Sequence, residues 1–162
     1  MSDQALRDHI KKMIAGQDAH VDFEKAVADF PEDKRGARPE GARHSAWEIL
    51  EHMRIAQSDI LEFSRNPNHE SPEWPDGYWP QEESPPDDAA WQYGIDTFLH
   101  DRKEMQELVA NESVDLFAKI PHGTGQTVFR EAIVVATHNS YHTGELVLLR
   151  RLLGAWGQEQ SA

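Results

Sequence analysis

Two histidines stand four residues apart in the segment His138-Asn139-Ser140-Tyr141-His142. On a helix that spacing stacks both side chains on one face, where the two imidazoles can converge on a single metal ion. Metalloprotease helices use the same spacing with a glutamate directly after the first histidine as general base. Here that position is Asn139, whose amide takes no proton at neutral pH. A metal held by this pair therefore works without the protease base. Nine histidines in 162 residues would produce roughly half of one such spacing by chance. A metal site needs further ligands from other helices, and two hydrogen-bonded helix histidines are the plainer alternative.

Four segments carry a helical period that could supply them. The histidine segment reads as one helix from Arg130 to Leu153, with Val134, Val135, Leu149 and Leu152 facing inward and Gly154 as its C-terminal stop. A first helix is expected from about Asp3 to Asp29, on a stripe of Leu6, Ile10, Met13, Gln17, Val21, Glu24 and Ala28, weakened at Gly16 and ended by Pro31. A second begins at Ser45, where Glu48 three residues later completes a capping-box signature, and Pro67 closes it. Its inner stripe is Ile49, Met53, Ala56, Ile60 and Phe63. A third runs from about Asp88 to Asn111, capped by Asp87 or Asp88 and lined by Trp91, Ile95, Phe98, Met105 and Val109. Four amphipathic helices of about 20 residues without a run of strands predict an all-α protein, an antiparallel four-helix bundle with long loops, as a single domain over residues 1–162.

The connections are uneven. Phe30 to His44 is a medium loop, and Asn66 to Asp87 is long, with six prolines and Trp74, Tyr78 and Trp79. Its aromatics argue against disorder, so it is expected to lie across the bundle and wall a pocket. Ser113 to Gln126 reads as a short hairpin or an irregular crossing.

Composition removes several function classes. Without cysteine there is no disulfide, no thiolate metal ligand and no internal thiol nucleophile. The 16 basic and 29 acidic residues give a net charge of −13, which disfavours nucleic acid as a partner. No stretch reaches the roughly 18 apolar residues of a membrane span, and the start, Met1-Ser2-Asp3-Gln4, does not read as a signal sequence. The expectation is a cytoplasmic protein.

Polar residues on the apolar faces mark where chemistry could sit, because a buried polar group costs free energy unless partnered. Glu131, His138, His142 and Glu145 fall within the stripe of the fourth helix, and His52 lies at the edge of the second. Three neutral imidazoles from two helices would leave a zinc, nickel, copper or iron ion an open position. His52 is the best-placed third ligand and His20 its rival. Glu145 could be a ligand, a base or a carboxylate that orients an imidazole. Arg102 and His20 read more simply as buried polar partners, with Glu24 as one pairing, and Trp47, Trp91 and Trp156 as packing residues. His9, His44, His69, His100 and His122 receive no role.

The segments Ser45-Ala46-Trp47-Glu48-Ile49-Leu50-Glu51-His52 and His138-Asn139-Ser140-Tyr141-His142-Thr143-Gly144-Glu145 together resemble the second- and fourth-helix signatures of the DinB-like family of bacterial four-helix bundles. The long loop with prolines and tryptophans is similar to one branch of that family. The resemblance implies a metal triad of His52, His138 and His142, a divalent ion such as zinc or nickel, and a homodimer. It also implies transferase or isomerase chemistry on a small-molecule substrate with a low-molecular-weight thiol as cosubstrate, such as mycothiol or bacillithiol. The alternatives are a metal-dependent hydrolase with Glu145 or Glu48 as base, and a non-catalytic, metal-stabilised dimeric binding protein.

Overall fold

The computed structural model describes residues 3–17 and 19–157; Met1 and Ser2, part of the reading of the N-terminus, lie outside them. Five helices carry the chain: α1 (Asp3–Ala15), α2 (Phe23–Val27), α3 (Ala46–Arg65), α4 (Asp88–Ala110) and α5 (Val128–Leu152). Single 3-10 turns stand at Glu32–Lys34 and Asp76–Tyr78.

The helix ends follow their local chemistry. Ser45 Oγ accepts from the Glu48 amide at 3.2 Å, and Glu48 Oε2 accepts from the Ser45 amide at 2.7 Å, so two amides that the first turn leaves unpaired are both satisfied. Asp87 caps α4 through the Ala90 amide at 2.7 Å, and Thr127 caps α5 through the Arg130 amide at 3.1 Å. Gly154 stops α5 with φ +65°, as its position suggested.

The helix expected over residues 3–29 is two helices. Gly16 adopts φ +68° and its amide donates back to the Lys12 carbonyl at 3.1 Å, which ends α1 rather than merely weakening it. Asp22 then caps α2 through the Lys25 amide at 2.8 Å. The break moves the buried face of α1 to Arg7, Ile10 and Ile14 and leaves Met13 43% exposed.

The four long helices form a closed square in which α3 packs on α4 and α5, and α1 packs on the same two. Cross-contacts give the directions. Arg7 reaches the Val109 carbonyl, Gln106 the Lys11 carbonyl and Arg102 the Ala15 carbonyl, so α1 and α4 are antiparallel. Gln57 donates to the Phe98 carbonyl and Arg65 pairs with Glu104, so α3 and α4 are parallel. His52 meets His138, while Phe63 packs on His122 ahead of α5, so α3 and α5 are antiparallel. α1 and α5 then run parallel, and the bundle mixes both kinds of seam.

Parallel neighbours need a long return. α3 is 20 residues, about 30 Å, and residues 66–87 carry the chain back along it. His69 and the Tyr78 hydroxyl both bind Asp59 at 2.7 Å, Ser45 Oγ donates to the Glu83 carbonyl at 2.6 Å, and Arg35 pairs with Asp88 at 2.6 Å. Gly36 lies so close to Ser84 that a Cβ would collide with its side chain. The shorter Ser113–Gln126 connection is irregular, with one antiparallel bridge between Lys119 and Thr127.

Two apolar clusters fill the interior. One gathers Phe23, Phe30, Trp47, Leu50, Met53, Trp91, Phe98 and Leu146; the other Ile10, Ile14, Leu61, Met105, Val109, Leu116, Val128 and Val135. Along α3 and α5, Gln57 and Asn139 fall between them, with Asn139 Nδ2 donating to Gln57 Oε1 at 2.7 Å. Among the described residues no helix is long and apolar enough to cross a membrane. Leu152, expected inward, is 58% exposed.

The Ser45 hydroxyl joins a helix cap to the return loop. Ser45→Ala should lower unfolding free energy by about 1–2 kcal/mol, read as a lower urea midpoint at unchanged slope.

Candidate metal centre

α3 carries His52, and α5 carries His138 and His142 one turn apart. One ring nitrogen from each of the three lies within 4.8 Å of the others. His52 and His142 are buried and His138 is half-buried. The antiparallel seam of α3 and α5 thus brings together the three histidines singled out from sequence. His20, the rival, is exposed in the loop after α1, where its ring bonds the Val21 carbonyl and Ser140 Oγ at 2.8 and 3.0 Å. Arg102 pairs with Glu24, as anticipated.

Hydrogen bonds fix which nitrogens are free. His52 Nδ1–H donates to the Tyr78 carbonyl at 2.9 Å; a carbonyl has no proton to give, so Nε2 of that ring is a bare lone pair. His142 Nδ1–H donates to Glu145 Oε2 at 2.6 Å, which likewise bares its Nε2. His138 Nε2 is 3.1 Å from His52 Nε2 and must be the donor in that contact. His138 Nδ1 is buried without a partner.

Burial works against a charge on two of these rings, His138 and His52. Burial, then the neighbouring His142 and His52, pushes His138 down to about 4. Burial also lowers His52, against the Tyr78 hydrogen bond, and His142 adds to the lowering. The hydrogen bond from His142 holds Glu145 below its usual carboxylate range although burial opposes it. Glu48, the other candidate base, is not free. Burial would raise it, but Arg38 and the Ser45 amide bind its oxygens at 2.5–2.9 Å and hold it low.

The return loop forms one wall. The Trp79 ring lies between His44 and His52, with centroids 3.9 and 4.0 Å away and interplanar angles of 16° and 3°. Sequence periodicity left His44 without a role. Its only signal was its place just before the capping box, and no helical stripe includes it. Trp79 and Tyr78 were expected to wall a pocket, and they bear on His52 by stacking and through a carbonyl. Trp74 packs edge-on against Tyr78, with ring centroids 5.4 Å apart, but it is 75% exposed and does not border the cleft beside His142. A cleft of about 530 Å³ opens beside His142 and Glu145, bordered by Arg43, His44, Trp79 and the outer side of α5.

The residues fit a divalent ion. Tetrahedral coordination at 2.0–2.1 Å sets ligand nitrogens about 3.3 Å apart, close to the 3.1 Å between His52 Nε2 and His138 Nε2. Converging neutral lone pairs, with one orphaned buried ring nitrogen, suit a cation better than a proton that burial resists. Two of the rings have the carbonyl and carboxylate partners that orient metal-binding imidazoles.

A family profile described as DinB superfamily matches residues 17–146. No curated protein and no solved structure matches the chain.

Protein purified without an affinity tag and loaded with zinc should hold one ion per chain by elemental analysis. The His138→Ala/His142→Ala double variant should hold none after dialysis against a chelator; stoichiometric metal there would refute the ligand set. Trp79→Ala should weaken affinity by roughly tenfold, because it frees the His52 ring.

His138 titrates lower folded (about 4) than unfolded (about 6.5), so the unfolded chain takes the proton first as pH falls. Its contribution to stability is present above about pH 6.5 and is lost progressively towards pH 4. Thermal midpoints of metal-free protein should therefore drop across that window, and less steeply in His138→Gln. Equal slopes would contradict the burial-driven lowering.

Proposed function

We propose, for a chain that belongs to the DinB superfamily, a divalent-metal-dependent enzyme in which His52, His138 and His142 hold the ion. Its reaction is the transfer or isomerisation of a small electrophile with an external thiol as cosubstrate. The observation that carries this reading is the convergence of three imidazoles beside an open cleft. Three such ligands leave a bound divalent ion its full charge and an open position, and an ion of that kind lowers the pKa of a thiol or water that reaches it.

The protein's own groups prepare that environment. The Tyr78 carbonyl and the Glu145 carboxylate each hold an Nδ1 proton, so Nε2 of His52 and His142 points its lone pair away from them. Trp79 covers one face of His52 and keeps water from that side. Asn139 is turned to Gln57 and offers no base. With no cysteine in the chain, a sulfur nucleophile has to arrive with the substrates. A water-activating hydrolase needs a free carboxylate instead, and Glu48 is engaged by Arg38 and Ser45. Glu145 is then its remaining candidate, and one of its oxygens already serves His142.

Cobalt-substituted protein should show new sulfur-to-metal charge-transfer absorption when a low-molecular-weight thiol is added, and His138→Ala should abolish it. An unchanged spectrum at several millimolar thiol, with turnover of a hydrolysable ester or amide, would replace the transferase reading by the hydrolase one.

A further inference from the structure

We propose that the cleft beside His142 binds a small amphipathic anion, its apolar body along the outer face of α5 and its charged group at Arg43. This rests on the enzyme reading in placing the ligand's reactive end near the histidines and in counting a bound ion towards the charge of the cleft.

The apolar half follows from α5. Tyr141, Leu148 and Leu152 are 69%, 56% and 58% exposed, and all border the cleft. They sit at helical spacing with the half-buried Glu145 on one side of the helix, and the buried Leu149 borders the cleft beside them. Three of the seven large exposed hydrophobics of the described residues thus lie on one cleft wall. The mean hydropathy of the chain is −0.71. Scattered surface leucines need no explanation, but a contiguous set beside a cleft does. A volume of about 530 Å³ lies within the usual range for small-ligand sites.

The charged half follows from Arg43. Acidic residues outnumber basic ones by 29 to 16, and other arginines find carboxylates: Arg35 meets Asp88, Arg38 meets Glu48 and Glu83, and Arg54 meets Glu51. Arg43 borders the cleft and is in no ion pair among the described residues. Its guanidinium is a ready partner for a carboxylate, sulfonate or phosphate. Two acids share the cleft: Glu145, whose carboxylate is committed to His142, and Glu40 on the same loop as Arg43. With a divalent ion on the imidazoles, the ion and Arg43 together outweigh them.

The test uses zinc-loaded full-length protein and hexanesulfonate, a weak metal ligand, with hexan-1-ol and hexylammonium as matched controls in calorimetric titrations. The sulfonate should bind most tightly. Arg43→Gln should weaken it by about tenfold, the loss of one charge-assisted contact, while Arg43→Lys keeps most of the affinity. Leu148→Ser should weaken sulfonate and alcohol alike. Both side chains are exposed, so circular dichroism should stay unchanged. Hexylammonium binding as tightly as sulfonate, or an indifferent Arg43→Gln, would overturn the proposal. So would a dimer that Leu148→Ser dissociates while sulfonate binding persists unchanged, since the face would then meet a second copy of the chain. The metal reading fails separately: protein that takes up no zinc but keeps Arg43-dependent sulfonate binding refutes the enzyme reading and leaves this one standing.

Discussion

Everything around the candidate centre depends on α3 and α4 running in the same direction. Parallel neighbours cannot be joined by a short turn, so the chain has to return the full length of α3 before α4 begins. That return, residues 66–87, is fastened at Asp59, His52 and Ser45 in turn, and Arg35 holds Asp88 where α4 begins. Its path takes it over the face of α3 that carries a histidine. Topology alone thus supplies the loop with a site to cover, and the contacts of Tyr78 and Trp79 turn that covering into orientation of an imidazole ring.

The centre also reflects how a bundle tolerates polar groups inside it. Gln57 and Asn139 bond each other and the Phe98 carbonyl between the two apolar clusters, so much of their desolvation is compensated. The histidines are compensated differently. Each of two rings has one nitrogen satisfied by protein, and their remaining lone pairs converge. Burial works against a charge on His138 and His52. A cation with nitrogen affinity relieves that arrangement in a way that no rotamer of the rings can.

Sequence made legible whatever is decided locally. The capping box at Ser45, the Asp87 cap, the Gly154 stop and the apolar stripes of α3 and α4 all depend on residues within a few positions of one another. The histidine set was legible because helical spacing and facing stripes limit which side chains can meet. What escaped depended on distant contacts. Gly16 read as a weak point in a helix, since its left-handed backbone shows only when the next segment turns away. His44 belongs to no stripe, and it meets Trp79 across 35 positions only because the return loop runs beside α3. Leu152 was assigned inward because apolar periodicity cannot separate a face that packs on protein from one that lines a cleft. The parallel seams left no local mark except the length of the loop they require.

Arg7 lies in α1 yet gives its guanidinium to the carbonyls of Val109, Asn111 and Val114, more than a hundred positions downstream. Those carbonyls belong to the end of α4 and the turn beyond it, where the helix leaves acceptors unpaired. During synthesis from the N-terminus, α1 emerges long before either helix it packs on. Its apolar face must stay solvated, or be shielded by other proteins, until α4 and α5 have left the ribosome. Contacts at such separation slow folding. The bundle therefore closes late, when α1 finds helices that follow it at such a distance along the chain.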